Sequence, residues 1–194
     1  MFSEIFVLEV AETCQLALGR IKWLQSKESN CETFKGAEQF NSIDPTPPSS
    51  KEDLEELRKT LLDNDAPLFD RYRAMFSLRN INSKDSAKIL ASAFTSGSAL
   101  FRHEIGYVLG QMECADVVDE LAAVVKNTKE SGMVRHEAAE ALGAIASEKA
   151  VEVLREHLND PVDVVRESCV VALDMSDYQN SSEFQYANAL LQVQ

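Results

Sequence analysis

Two short stretches decide how this chain is read: Arg102-His103-Glu104-Ile105-Gly106-Tyr107-Val108-Leu109-Gly110 and Arg135-His136-Glu137-Ala138-Ala139-Glu140-Ala141-Leu142-Gly143. Superposed, they share Arg-His-Glu, a small or apolar face, and Leu-Gly seven and eight residues after the arginine. The offset from His103 to His136 is 33 residues. A structural unit of that length, repeated, puts both His-Glu pairs at equivalent points on stacked neighbours.

The same register extends in both directions. Arg71, Arg102, Arg135 and Arg166 are spaced by 31, 33 and 31 residues, and each is followed seven residues later by a leucine: Leu78, Leu109, Leu142 and Leu173. Each such helix is preceded by another with its own apolar stripe: Leu54/Leu57/Leu61, Ala87/Leu90/Phe94, Val118/Leu121/Val125 and Val151/Leu154/Leu158. Steps of three and four place each set on one buried face. The fold class is all-α: a short HEAT-like α-solenoid of about four helical hairpins over residues 52–176. Asp53, Asp85 and Asp116 stand where N-caps or first-turn acids of the outer helices belong.

Residues 1–25 form a separate helix. Glu12, Thr13, Cys14, Ala17 and Leu18 repeat the order Glu167, Ser168, Cys169, Ala172, Leu173, so this helix reads as the inner member of a further repeat, orphaned from an outer helix expected upstream of it. Residues 26–51, with Asp44-Pro45-Thr46-Pro47-Pro48-Ser49-Ser50, read as a linker or surface loop. The tail, 177–194, carries a short helical pattern around Phe184 to Leu190 suited to capping the array.

Glycine (7) and proline (5) are few, which favours helix over sheet. The net charge of −13 argues against nucleic acid, whose phosphates such a surface repels, and allows a basic protein partner. Cys14, Cys31, Cys114 and Cys169 form no CxxC pair, so a disulfide framework is not expected and a reducing compartment fits. The start, Met1 to Glu9, has no basic region ahead of its apolar residues and is not a secretory signal. No apolar run approaches the ~20 residues needed to span a bilayer. The expectation is a soluble, cytoplasmic protein without membrane or nucleic-acid contact.

Within a helix, adjacent residues point about 100° apart, so His and Glu flank a ligand position rather than stack. Imidazole nitrogen with carboxylate oxygen suits borderline divalent metals, and two histidines with one carboxylate are the set of non-haem Fe(II) oxygen chemistry. Zinc would call for a closed tetrahedral set or HExxH in one helix, and neither is present. The competing reading is solvent-exposed polarity copied by repeat ancestry, but the other two repeats carry Tyr72-Arg73 and Glu167-Ser168 in that register. His157 lies on a partly apolar stripe and reads as a packed or edge histidine. Gly106, Gly110 and Gly143 permit close helix approach, while Tyr107 and Met133 read as filling core gaps.

The two His-Glu stretches, with Pro67-Leu68-Phe69-Asp70-Arg71-Tyr72-Arg73-Ala74-Met75-Phe76 and Val164-Val165-Arg166-Glu167-Ser168-Cys169, closely resemble the deoxyhypusine hydroxylase family, from about Val7 to Ala187. The resemblance implies a HEAT-like di-iron monooxygenase whose substrate is the deoxyhypusine side chain of eukaryotic translation initiation factor 5A. It implies four His-Glu motifs, two in each of two pseudosymmetric halves that clasp the iron pair, of which this chain matches the second half. His103 and His136 carry over as iron ligands, Glu104 as a carboxylate ligand, and Glu137 as a member of the motif. With half the motifs present, the resemblance leaves three expectations: hydroxylase activity, a HEAT-like scaffold that docks the factor without chemistry, or a weak homodimer in which two copies supply His103, Glu104, His136 and Glu137.

Overall fold

The computed structural model describes residues 2–26, 40 and 42–181, and among them every regular element is helical. The helices are α1 (Phe2–Gln25), α2 (Leu54–Leu62), α3 (Leu68–Ile81), α4 (Lys84–Ser92), α5 (Ala99–Met112), α6 (Val118–Lys126), α7 (Gly132–Ile145), α8 (Glu148–Glu156) and α9 (Asp163–Asn180). They pair as α2/α3, α4/α5, α6/α7 and α8/α9, the four hairpins expected. The inner helices α3, α5, α7 and α9 stack in that order, the outer helices lie behind them, and α1 lies against α3 and α5. The tail pattern around Phe184 lies outside the described residues.

Local signals start and stop these helices. Asp53 caps α2 by accepting from the Glu56 amide at 2.9 Å, and Ser83 and Ser86 form a reciprocal capping box on α4. Ser98, Ser131 and Ser147 cap α5, α7 and α8. Asp85 sits in the first turn of α4. Asp116 instead occupies a 3-10 turn before α6, where it pairs with Lys84 at 3.0 Å. The inner helices α3, α5 and α7 each end on a left-handed residue, Asn82, Glu113 and Ala146, which satisfies terminal carbonyls.

Most of the stripe residues are buried, whereas Leu54, Phe94, Val151 and Leu158 are only partly so. Leu57, Leu61, Ala87, Leu90, Leu121, Val125 and Leu154 are fully buried, as are Leu78, Leu109 and Leu142. Leu173 is only partly buried, because α9 is the last inner helix of the described array. Tyr107 does not fill a core gap: it is 39% exposed, and its hydroxyl accepts a hydrogen bond from Gln111 Nε2 at 3.2 Å. It stands on the polar side of α5, the side that carries His103.

The repeated arginines are internal staples. Arg71 Nε donates to Leu61 O at 2.9 Å and Nη2 to Ser96 Oγ at 2.8 Å. Arg135 repeats the arrangement, Nε to Val125 O at 2.8 Å and both terminal nitrogens to Asp160. Each therefore satisfies a carbonyl near the C-terminus of its own outer helix and grips the loop that launches the next inner helix. Arg102 makes the forward tie as a bidentate pair with Glu130, both contacts 2.8 Å. These forward ties span 25 to 28 residues, from one inner helix to the loop just before the next.

The described part of the 26–51 segment has no helix but is closely packed on α3. Ser49 N donates to Ser77 Oγ at 2.8 Å, Arg73 donates to Pro48 O, and Thr46 is fully buried. Arg79, itself fully buried, donates to both carboxylate oxygens of Asp44, at 2.8 and 2.6 Å, and to Gln111 Oε1 at 2.9 Å.

Two expectations follow. The Arg135–Asp160 pair has side chains 2% and 4% exposed, so Arg135→Ala strands a buried carboxylate and should cost about 3–5 kcal/mol in urea unfolding. The Arg135 hydrogen bond holds the Asp160 carboxyl below the usual range against the opposing effect of burial. Its contribution is complete above the unfolded aspartate value of about 3.9 and is lost as pH falls through the lower folded value. The stability gap between the wild type and Asp160→Asn should therefore narrow below about pH 3.9. Separately, a Cβ on Gly143 would lie 2.6 Å from Ala172 Cβ and 2.7 Å from its Cα, so Gly143→Ala should lower stability by about 1–3 kcal/mol, measured the same way.

Candidate metal centre

The site begins with how closely α5 and α7 approach. A Cβ on Gly106 would fall 3.0 Å from Glu137 Cγ, and one on Gly110 3.2 Å from Ala141 Cα. With hydrogen in those places, the stem of Glu137 lies against α5 and its carboxylate reaches across to the neighbouring helix. Glu137 Oε2 stands 3.0 Å from His103 Nε2. The rings of His103 and His136 face one another, with centroids 5.3 Å apart and planes inclined at 52°. His103, His136 and Glu137 each offer a donor atom, and these atoms all lie within 4.8 Å of one another.

Three of the four residues singled out from the sequence are thus gathered into one cluster. The fourth, Glu104, is adjacent to the cluster but outside that group. The stacking explains why. The glutamate after each histidine points back toward the preceding inner helix, so Glu137 meets His103 on α5 while the field of Glu104 reaches Tyr72 on α3. His157 belongs to neither set: it ends α8, with Nδ1 2.8 Å from Val153 O.

The cluster is partly enclosed, with His103, His136 and Glu137 side chains 25%, 20% and 10% exposed, and it is electrostatically loaded. Burial disfavours a charged His103, but the Glu137 hydrogen bond and the charges of Glu137, Glu104 and Glu140 outweigh that and raise its pKa. Burial, reinforced by Glu137 and Asp44 against the opposing His103 and Arg79, pushes the Glu104 carboxyl up to about 7. The Tyr72 phenol is pushed up by burial and then by Glu104. A desolvated group of carboxylates relieved by one imidazole is an environment that a cation would neutralise.

The donors fit a divalent first-row metal. His103 Nδ1 is buried with no hydrogen-bond partner, and its other nitrogen faces a carboxylate. Two imidazoles and a carboxylate with positions left open is the set suited to Fe(II). Two further residues escaped the sequence reading. Glu140 Oε1 lies 3.2 Å from His136 Nδ1 and accepts from Ser168 Oγ at 3.0 Å. Glu140 was detectable, since it stands four residues after His136 and so on the same helix face; Ser168 was detectable only as the residue in the Glu137 register of the next repeat.

Comparison with known proteins now bears on this geometry. Residues 87–174 match the family of HEAT repeats. The chain is 55% identical over 186 residues to deoxyhypusine hydroxylase of Mus musculus, covering 95% of this chain and 60% of that protein. It is 50% identical over 192 residues to the Homo sapiens enzyme, covering 99% and 62%. The match falls on roughly the C-terminal half of the deoxyhypusine hydroxylases to which this chain is similar. The similarity reaches fungi, with 48% identity over 190 residues to the Candida albicans deoxyhypusine hydroxylase, covering 96% of this chain and 59% of that one. The solved structure of human deoxyhypusine hydroxylase in complex with glycerol superposes with a TM-score of 0.81 at 51% identity, over 87% of this chain and 57% of that one. The chain spans about 60% of the length of the curated deoxyhypusine hydroxylases it matches. Among the described residues, no helix is long and apolar enough to cross a membrane.

If His103, His136 and Glu137 hold a metal, His103→Ala and Glu137→Ala should each lower Fe(II) retention at least tenfold in anaerobic equilibrium dialysis, while His157→Ala leaves it unchanged. Equal retention by all three variants would return the His-Glu pairs to plain polarity.

Proposed function

We propose that this chain supplies part of the metal site of a deoxyhypusine hydroxylase, acting with Fe(II) and dioxygen on the deoxyhypusine side chain of eukaryotic translation initiation factor 5A. The observation that carries this reading is the convergence of His103, His136 and Glu137 on two adjacent inner helices, in a chain about half identical to enzymes of that name. His103 and His136 are the nitrogen ligands, Glu137 and Glu104 the carboxylates. Iron, when bound, supplies the activation of dioxygen that hydroxylation of a carbon centre requires.

The chain's own residues prepare the site. His103 Nε2 and Glu137 Oε2, 3.0 Å apart, hold each other at the distance at which both would reach one cation. Without metal, burial and the neighbouring carboxylates push the Glu104 carboxyl up to about 7, and a cation bound beside it would favour its ionised form. The overall charge of −13 attracts a cationic side chain, so docking of the initiation factor should weaken with salt. The free thiols among the described residues, Cys14, Cys114 and Cys169, suit the cytoplasm, where this substrate is read to reside.

The reading assigns two of four His-Glu motifs to this chain, and two copies related by a two-fold axis would restore the number. Leu8, Val10, Leu18 and Ile21 on α1 are each more than half exposed, which favours self-association. A scaffold without chemistry is the second reading, favoured by the incomplete donor set. Sedimentation with and without Fe(II), run beside a mass-spectrometric assay for one added oxygen on the deoxyhypusine-bearing factor, decides between them. We expect weak dimerisation strengthened by Fe(II), with little or no hydroxylation by the monomer. Iron retention and factor binding without hydroxylation at any protein concentration would select the scaffold, and a strictly monomeric chain that turns over substrate would defeat the dimer.

A further inference from the structure

Resting on the metal reading above, we infer that Glu140 and Ser168 are positioning residues: they fix which nitrogen of His136 is offered to the metal, and they make the last hairpin part of the site. The inference comes from comparing one rung of the array with the next. Between α5 and α7, Glu137 reaches back and meets His103 directly, at 3.0 Å. Between α7 and α9 the residue in the same register is Ser168, whose side chain is too short to repeat that contact. Glu140 fills the gap, one turn beyond His136 on α7. Its Oε1 lies 3.2 Å from His136 Nδ1 and is itself held by Ser168 Oγ at 3.0 Å.

An ionised carboxylate only accepts hydrogen bonds. Glu140 therefore keeps the proton of a neutral His136 on Nδ1, and the lone pair is left on Nε2, the nitrogen free to bind metal. Ser168 donates to the same oxygen and stops the carboxylate from rotating away. The counterpart of Glu140 on α5 is Tyr107, which is engaged by Gln111 instead. His103 has no such support, and its Nδ1 is buried without a partner. The two histidines are thus positioned differently: His103 across the helix interface by Glu137, His136 within its own helix by a carboxylate anchored on α9.

Loss of such an outer hydrogen-bond partner ordinarily lowers metal affinity by about 10- to 100-fold. The chain has only three histidines, so the tautomer of His136 can be read from the ring ¹⁵N shifts of the metal-free, histidine-labelled protein at a pH where the ring is neutral. Binding of Co(II) alone is measured in parallel by anaerobic titration. We expect wild-type His136 protonated on Nδ1, and Glu140→Ala shifted toward the Nε2-protonated form with cobalt affinity about 10- to 100-fold lower. Glu140→Gln keeps an acceptor oxygen and should preserve the tautomer, while Ser168→Ala loses affinity by a smaller factor that Ser168→Thr restores. Unchanged cobalt affinity in Glu140→Ala, or a wild-type His136 protonated on Nε2, would overturn the inference. A wild-type chain that takes up no cobalt would overturn the metal reading instead, and the tautomer, read without metal, would still decide whether Glu140 positions His136.

Discussion

The array depends on buried arginines that tie one hairpin to the next. A guanidinium carries five donors in a fixed fork, and Arg71 and Arg135 spend theirs on a carbonyl at the end of one helix and on the loop that starts another. Arg71 also lies over the Phe101 ring at 4.1 Å, which joins the first hairpin to the second through a cation–π contact. These ties set the translation from one inner helix to the next. The apolar stripes supply most of the favourable burial, but stripes alone tolerate sliding; a directional hydrogen-bonding group does not. The register that brings Glu137 opposite His103, rather than one turn away, is held by these side chains.

That dependence explains what could be read without coordinates. The hairpins and their order were legible because the same physical requirement, one buried face per helix, recurs at a fixed period. The His-Glu columns were legible for the same reason. What periodicity does not encode is the direction in which a residue points relative to its stacked neighbours, so the sequence could not separate Glu137, which joins the two histidines, from Glu104, which neighbours Tyr72 and Arg79. Nor could it show that the aperiodic stretch around Asp44 is pinned to α3. The partners there, Asp44 with Arg79 and Ser49 with Ser77, are 35 and 28 residues apart and follow no repeat.

The acidic cluster also shows how one fold can serve structure and chemistry with the same residue types. Glu130 and Asp160 each face an arginine, and their carboxyls are held below the usual range; they join neighbouring elements. Glu104 has Arg79 nearby, but that arginine is already committed to Asp44. Burial then dominates and moves its carboxyl in the opposite direction. The difference between a staple and a site is whether the cation that could neutralise the carboxylate has been allotted elsewhere.

The position of the cluster within the stack has a consequence for its persistence. In a solenoid each unit touches only its neighbours, so opening starts at the ends and proceeds inward. The α5–α7 interface is an interior one, with α3 on one side and α9 on the other. Local opening of α1 or of the C-terminal turns of α9 would leave His103, His136 and Glu137 in place. Fraying that reaches the first turns of α9 touches only the anchor of Glu140. Among the described helices, the pair of rungs that carries the cluster has a stacked inner helix on each side.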